Sequence, residues 1–403
     1  MPALAADPAA VAINQLGLDL HRRLAGEKAD ANLCLSPYSI QCALAMTYAG
    51  ADGATRAEMA KVLHYPAGDA IHESLPALSK ALDGITENTT QWAEAQKRQG
   101  GSGEPIVLTL ANRLFGRKGY AFHEKFLAQL QGTYHAPLEQ MDFSQPGEAT
   151  RRINGWVAEQ TRERIKNLIP DGVLNEATRL VLVNAVYLKG PWADAFREAA
   201  TKPEPFHVAG GASKDVPTMT QHRHFGYAKH DGYTAVTIPY FGRGLHFLVI
   251  VPDDVKGLAG VEKKLTAEAL ADCAQMGSQD VILHLPKFKI EGSTISLTKE
   301  LGALGMKTAF DQPKGSADFS RMAPRTPSDY LYISEVLHQT FIAVDEKGTE
   351  AAAATAVIMA AGSAAPVQPP KPIEVKVDRP FLFAIQHGET GACLFLGRVT
   401  EPK

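Results

Sequence analysis

Between Asp345 and Lys371 the chain reads DEKGTEAAAATAVIMAAGSAAPVQPPK, and this stretch restricts the fold more than any other. From Thr349 to Ala365 it contains no proline, so every backbone N–H there is free to donate to a β-ladder. The side chains are small, with four consecutive alanines from Ala351 to Ala354, and they fit between strands already in place. In isolation such a run reads as a linker or a short helix. Here a well-patterned strand pair follows it, so it is a loop inside a folded unit. A loop that could become a central strand is unusual, and the function is sought there.

The chain has 403 residues, enough for one large domain or two ordinary ones. Hydrophobic residues make up 45% and charged residues 21%, a balance that permits a sizeable soluble core. A net charge of −3 gives no global electrostatic reason to expect nucleic acid or an anionic membrane as partner. No apolar run approaches the roughly 20 residues of a membrane helix. The N-terminal MPALAADPAAVA lacks a basic region followed by an apolar core, although Ala3-Leu4-Ala5 resembles the small-residue end of a signal peptide. Secretion, extracellular or periplasmic, is therefore the expectation, with the cytoplasm as the alternative. Cys34, Cys42, Cys273 and Cys393 have no CxxC spacing and are expected as buried free thiols.

Helices are predicted early. Residues 8–25 carry apolar positions at helical spacing, and Ser36-Pro37 supplies an N-cap and a first helical residue for the segment running to Gly50. Asp52-Gly53-Ala54-Thr55 starts a third helix. Residues 84–105 are polar and end in Gly100-Gly101-Ser102-Gly103, which predicts a mobile loop; Asn88-Thr89-Thr90 within it fits a glycosylation acceptor. Ile106–Phe115 reads as a strand, and 148–167 as an amphipathic helix around Ile153, Trp156, Val157 and Ile165. Arg179–Lys189 is a near-continuous apolar run, the pattern of a strand covered on both faces. Strands dominate from residue 204 onward: 233–240, 245–251, 280–290, 331–344 and 373–377, with one helix near 296–304. Helices early, strands late and no βα alternation place the chain in the α+β class, as a single domain over 1–403.

Motifs for catalysis are absent: no G-x-S-x-G elbow, P-loop, dinucleotide fingerprint or HExxH occurs. His222-Arg223-His224 with His230 is the best metal-like cluster, but it lacks a nearby cysteine or tight carboxylate partner and reads as a surface loop. Arg151-Arg152 and the basic residues from Arg162 to Lys166 read as the solvated face of their helix. Neither an enzyme nor a metal protein is expected, and no cofactor is implied.

Many of these segments resemble the serpin family of serine protease inhibitors. They include NLCLSPYSIQCALAMTYAGADGAT (32–55), VNAVYLKGPW (183–192), IPY (238–240), LPKFKIE (285–291), LGM (304–306) and ADFS (317–320). ISEVLHQTFIAVDEKGTEAAAAT (333–355), DRPFLFAI (378–385) and LFLGRV (394–399) follow in order. The resemblance implies three β-sheets, eight to nine helices and an exposed reactive-centre loop at about 346–372. It also implies a mechanism in which a target serine protease cleaves the loop and forms an acyl-enzyme. The N-terminal part of the loop then inserts into the main sheet as a new strand and carries the protease with it. A covalent complex with that protease is the implied partnership, formed by a monomer. Residues near 73–82 carry only Lys80 as a base, so no heparin-type site is expected.

The resemblance assigns the loop hinge to Glu346, Gly348, Thr349, Glu350, Ala351, Ala352, Ala353, Ala354 and Thr355. Thr349, Ala351, Ala353, Thr355 and Val357 would face the core, and Glu350 the opposite face, where its charge stays in water. No bulky residue or proline interrupts this hinge, which favours an inhibitor over a carrier or chaperone of the same fold. Ser36, Ser39, Asn184 and His338 match a polar cluster beneath the main sheet where strands part, and Trp192 matches the top of the sheet. Spacing from Glu346 puts the scissile bond at Gly362–Ser363, whereas spacing from Arg379-Pro380-Phe381 puts it near Gln368–Pro369; Met359, Ala360, Ala361 and Ala364 remain alternatives. Insertion from Thr349 to Gly362 would move the cut end by about 45 Å. No Arg or Lys lies between Lys347 and Lys371, and small apolar residues suit elastase- or subtilisin-like proteases, with papain-like cysteine proteases as an alternative target.

Overall fold

The computed structural model describes residues 7–211, 213–350 and 371–403. Ala3-Leu4-Ala5, the hinge alanines 351–354, Thr355 and every scissile-bond candidate from Met359 to Pro369 lie outside the described residues. In chain order α1 (Pro8–Glu27), β1 (Leu33–Leu35), α2 (Pro37–Gly50), α3 (Gly53–Val62) and α4 (Ile71–Arg98) come first. They are followed by β2 (Val107–Arg117), α5 (Glu124–Tyr134), β3 (Glu139–Met141), α6 (Pro146–Gln160) and β4 (Leu180–Pro191). Strands then dominate: β5 (Lys202–His207), β6 (Ser213–His230), β7 (Tyr233–Pro239) and β8 (Leu245–Pro252), with α7 (Leu258–Lys264) and α8 (Ala267–Asp272) after them. The chain continues through β9 (Ser278–Pro286), β10 (Phe288–Glu291), β11 (Ile295–Ser296), α9 (Thr298–Leu304), β12 (Ile333–Asp345) and β13 (Gly348–Thr349). It closes with β14 (Ile373–Lys376), β15 (Phe381–His387) and β16 (Cys393–Val399).

This is the α+β arrangement read from the sequence. The seven-stranded sheet is ordered β10-β12-β13-β4-β2-β3, with β11 on β12. The second network is ordered β1-β16-β15-β8-β7-β6-β9-β14, with β5 on β6. Two sheets merge there because β6 is 18 residues long: its C-terminal end pairs with β7 and its middle with β9.

β4 explains why the first sheet sits where it does. Leu180, Leu182, Val186 and Leu188 face the main core, while Val181, Val183 and Ala185 face a second cluster under α6 with Phe115, Ile153 and Val157. Period-2 alternation with both faces apolar is what a doubly covered strand requires. The main-core face rests on α2, which the Ser36 side chain caps by accepting from the Ser39 amide at 3.3 Å, with Pro37 at its first position. Because α2 is buried on nearly all sides, it forms the floor beneath the sheet.

Two helical boundaries differ from the expected ones. Residues 84–98 are not a loop but the second half of α4, whose buried positions Leu75, Leu78, Leu82, Thr89 and Ala93 run down one face. Tertiary burial outweighs a polar local sequence there. Thr89 of the glycosylation pattern is buried and donates to the Ile85 carbonyl (2.9 Å). Likewise α6 stops at Gln160, and Arg162 and Glu163 take left-handed φ values of 50° and 62°. Ile165 remains buried, but beyond a tight turn instead of on a helix.

At the outer edge of the larger network β14 runs parallel to β9, in register from Ile373↔Val281 to Lys376↔His284. His284 stands between two carboxylates, Nδ1 3.2 Å from Glu204 and Nε2 3.2 Å from Glu374. The four cysteines are free, three of them buried and Cys42 partly so. The His222–His224 segment lies on β6, not in a loop, and His222 Nε2 is 2.8 Å from Asp280. Among the described residues no group of three His, Cys, Asp or Glu is placed to hold a metal ion, and no helix is long and apolar enough to cross a membrane.

Candidate functional site

β4 and β12 are neighbours in the seven-stranded sheet, paired in parallel from Leu180 opposite Ile333 to Val186 opposite Thr340. Above that level they no longer pair with each other. The two residues of β13 occupy the mouth of the gap, Thr349 opposite Val344 and Gly190, and Gly348 opposite Asp345 and Pro191. The sheet is therefore Y-shaped, closed below and wedged above by the start of the loop.

Below the fork the polar residues picked out in the sequence meet in one network. His338 and Asn184 are cross-strand partners, as are Asn184 and Asn112 of β2. The Ser36 amide donates to His338 Nε2 at 3.0 Å, which leaves the ring proton on Nδ1 to donate to the Asn184 side-chain carbonyl. Asn184 Nδ2 donates to Ser39 Oγ (2.7 Å) and to Asn112 Oδ1 (2.8 Å), and Ser36 Oγ donates to the Leu394 backbone carbonyl (2.6 Å). Ser36, Ser39, Asn184 and His338 are all fully buried. Burial lowers the His338 pKa to about 3, so the ring is neutral. Asn112 is a member that the sequence reading missed; an asparagine inside the strand Val107–Arg117 was the available signal.

At the top of the gap Trp192 holds the turn that feeds β13. Its indole N–H donates to the Asp345 carbonyl and its amide to the Lys347 carbonyl, both at 2.9 Å. The ring stacks on Tyr240 at 4.8 Å, and the Tyr240 and Thr349 hydroxyls share a 2.5 Å hydrogen bond. Thr349 thus faces the core, 1% exposed. Asp345 Oδ1 accepts from the Lys347 amide at 2.8 Å and closes the turn. Gly348 has φ 151°, and a Cβ there would stand 2.1 Å from the Gly190 carbonyl oxygen, so no other residue passes this close to β4.

Glu346 anchors the same turn. Its carboxylate is 2.8 Å from Lys287 Nζ and accepts from Thr201 Oγ1 at 2.7 Å. Burial alone would raise its pKa, but the bonds from Lys287 and Thr201 outweigh that and hold it below the usual carboxylate range. Glu346→Ala removes both bonds and leaves Thr201 unpaired. We expect a loss of about 1–2 kcal/mol in urea unfolding, with Lys287→Ala adding little more in the double mutant. Additive losses would show that the two residues act separately.

Glu350 departs from expectation. It lies on the face away from the core, but its side chain is 10% exposed and ion-paired with Arg164 instead of standing in water. Burial raises its carboxyl above the ordinary range, with Arg164 opposing. Nor does Arg164 belong to the solvated face of a helix, since it lies in the turn after α6.

The serpin (serine protease inhibitor) family model matches residues 11–402. The leukocyte elastase inhibitor of Sus scrofa is 37% identical over 398 residues, covering 96% of this chain and 98% of that one. Among solved structures, uncleaved ovalbumin superposes with a TM-score of 0.80 at 28% identity, covering 98% of this chain and 100% of that one. Serpin48 of the insect Tenebrio molitor gives 0.78 at 30% identity, with 97% of each chain covered.

Proposed function

Because the chain belongs to the serpin family, we propose that it is an irreversible suicide-substrate inhibitor of serine proteases, with elastase- or subtilisin-like targets. The observation that carries this reading is the position of Thr349. The first residues of the loop are already seated between β4 and β12, so the strand that must enter the sheet has a prepared starting point.

In the proposed reaction the protease serine oxygen attacks a loop carbonyl. An ester forms, the peptide C–N bond breaks, and the new amine leaves with a proton. The N-terminal side of the loop, still bonded to the protease, continues into the gap behind Thr349. Small residues from Ala351 onward meet little steric resistance, and each inserted residue gains ladder hydrogen bonds. At about 1 kcal/mol each the release is on the order of 10 kcal/mol, comparable with the stability of a typical domain and enough to distort a protease active site. The bond at Gly362–Ser363, with Met359, Ala360, Ala361 and Ala364 as alternatives, fits shallow specificity pockets. The covalent complex is one inhibitor monomer to one protease. The leukocyte elastase inhibitor likeness supports the same target class.

Mixing the protein with pancreatic elastase or subtilisin should give an adduct that survives denaturing electrophoresis, and mass spectrometry of the released fragment should locate the cut between Met359 and Ala364. Cleaved protein beside free, active protease would sink the inhibitory reading and favour a carrier or chaperone of the same fold.

A further inference from the structure

The turn after α6 is held in a shape that L-residues disfavour, with Arg162 and Glu163 both left-handed. Hydrogen bonds fix it in place. The Glu163 amide donates to the Ala158 carbonyl at 2.8 Å, and Thr161 Oγ1 donates to the Val157 carbonyl (2.8 Å) while accepting from the Ile165 amide (3.1 Å). The turn reaches both strands that border the gap. Arg162 lies over the Tyr187 ring of β4 at 5.5 Å, and Arg164 over the Phe341 ring of β12 at 5.3 Å. Arg164 Nε also meets the Glu350 carboxylate, at the point where the loop leaves the sheet.

Glu350 is kinked as well as covered. Its φ is 50°, so the chain turns out of the strand direction directly after Thr349, and its amide donates to the Ala343 carbonyl at 2.9 Å. Both carboxylate oxygens are buried, and the side-chain partner that meets them is Arg164. The ion pair with Arg164 compensates this covered charge, with Lys189 of β4 and Arg162 as the other cations facing it. Lys189 is itself committed to Glu104 at 2.7 Å. For residue 351 to follow Thr349 into the gap, Glu350 must leave the left-handed region for extended backbone.

We propose that Arg164 is a positioning residue whose ion pair with Glu350 arrests hinge entry at Thr349 in the uncut molecule. This rests on the inhibitory reading above and names the control of its insertion step. Conversion to an inserted state would then begin when Glu350 lets go of Arg164, and the strained turn would be free to relax at the same moment.

The test uses the full-length, uncut protein and no protease. Hydrogen exchange followed by mass spectrometry should show the Thr349 and Glu350 amides exchanging roughly tenfold faster in Arg164→Ala than in the parent, with residues 180–186 of β4 unchanged. Arg164→Lys should restore part of the protection, Glu350→Gln should match Arg164→Ala, and the double variant should be no worse than either single one. Uncut Arg164→Ala should also acquire resistance to urea unfolding on prolonged incubation faster than the parent. Parental exchange at 349–350 in both single variants, or additive effects in the double variant, would overturn the assignment. Failure of the parent to form protease adducts would sink the inhibitory reading and leave these measurements standing.

Discussion

On the proposed mechanism, replacing Thr349 with arginine is expected to turn an inhibitor into a substrate, with covalent adduct falling at least tenfold and cleaved inhibitor rising to match. The site leaves no room for the change. Thr349 is 1% exposed, its hydroxyl is bonded to Tyr240, and it is flanked by Val344 on one strand and Gly190 on the other. A guanidinium at that position must either be buried without a partner or force the hinge out of the gap. Burying an unpaired polar group costs roughly 2–7 kcal/mol and a charge more. Even about 3 kcal/mol slows entry by about a hundredfold. Hydrolysis of the acyl-enzyme then outruns insertion and the protease is released. Thr349→Ser keeps the hydroxyl and should retain most of the adduct. An unchanged yield in Thr349→Arg on denaturing gels would show that entry does not begin at this residue.

The second large effect is expected at His338, and it depends on pH. His338→Ala strands the Ser36 amide and the Asn184 carbonyl in a fully buried site and opens a cavity between β4, β12 and α2. A loss of about 3 kcal/mol in urea unfolding follows, together with faster spontaneous conversion or self-association as the closed part of the Y loosens. In the parent protein the folded ring titrates at about 3, while an unfolded histidine takes up a proton near 6.5. A depressed histidine pKa means that its contribution is complete above about pH 6.5. That contribution is lost steadily as pH falls toward 3, because the unfolded chain binds a proton that the fold refuses. His246, lowered to about 4 by burial, acts in the same direction. Unfolding midpoints measured from pH 7 to 4 should therefore fall steeply in the parent and less steeply in His338→Ala. Parallel slopes would remove His338 from the acid response.

The polar cluster at the fork was reached through the family resemblance, and its chemistry agrees, because its polar groups stand in apolar surroundings. Asn184 sits in a run of valines and leucines, and His338 shares its face of β12 with Val336 and Ile342, so each had to find a partner. Asn112 obeys the same rule, but it lies outside the segments that carried the resemblance. Gly348 and Thr349 were legible from size and position. The Arg164–Glu350 pair was not, because residues 186 positions apart meet only once the turn after α6 breaks the helical pattern that the apolar spacing of Ile153, Val157 and Ile165 suggested. The second half of α4 was hidden for a related reason. Gly84, Thr86, Asn88 and Thr90 argue locally for a loop, and only burial of Leu82, Thr89 and Ala93 against the body decides for a helix.

The short parallel edge strand β14 turns the uncut chain into a line moored at two ends of unequal strength. One mooring is the two-residue wedge of β13; the other is four residues of β14 laid along β9, with Glu374 beside His284. A chain that enters the gap without being cut must draw on the far mooring and unzip those four ladder positions. A cut chain draws on nothing. At about 1 kcal/mol per position the difference is roughly 4 kcal/mol, or close to a thousandfold in rate. In the proposed mechanism cleavage would therefore serve as a trigger with a built-in safety. On that mechanism the same ladder would also set how long the molecule stays armed when no protease arrives, and trimming β14 by one pairing should shorten that shelf life several-fold.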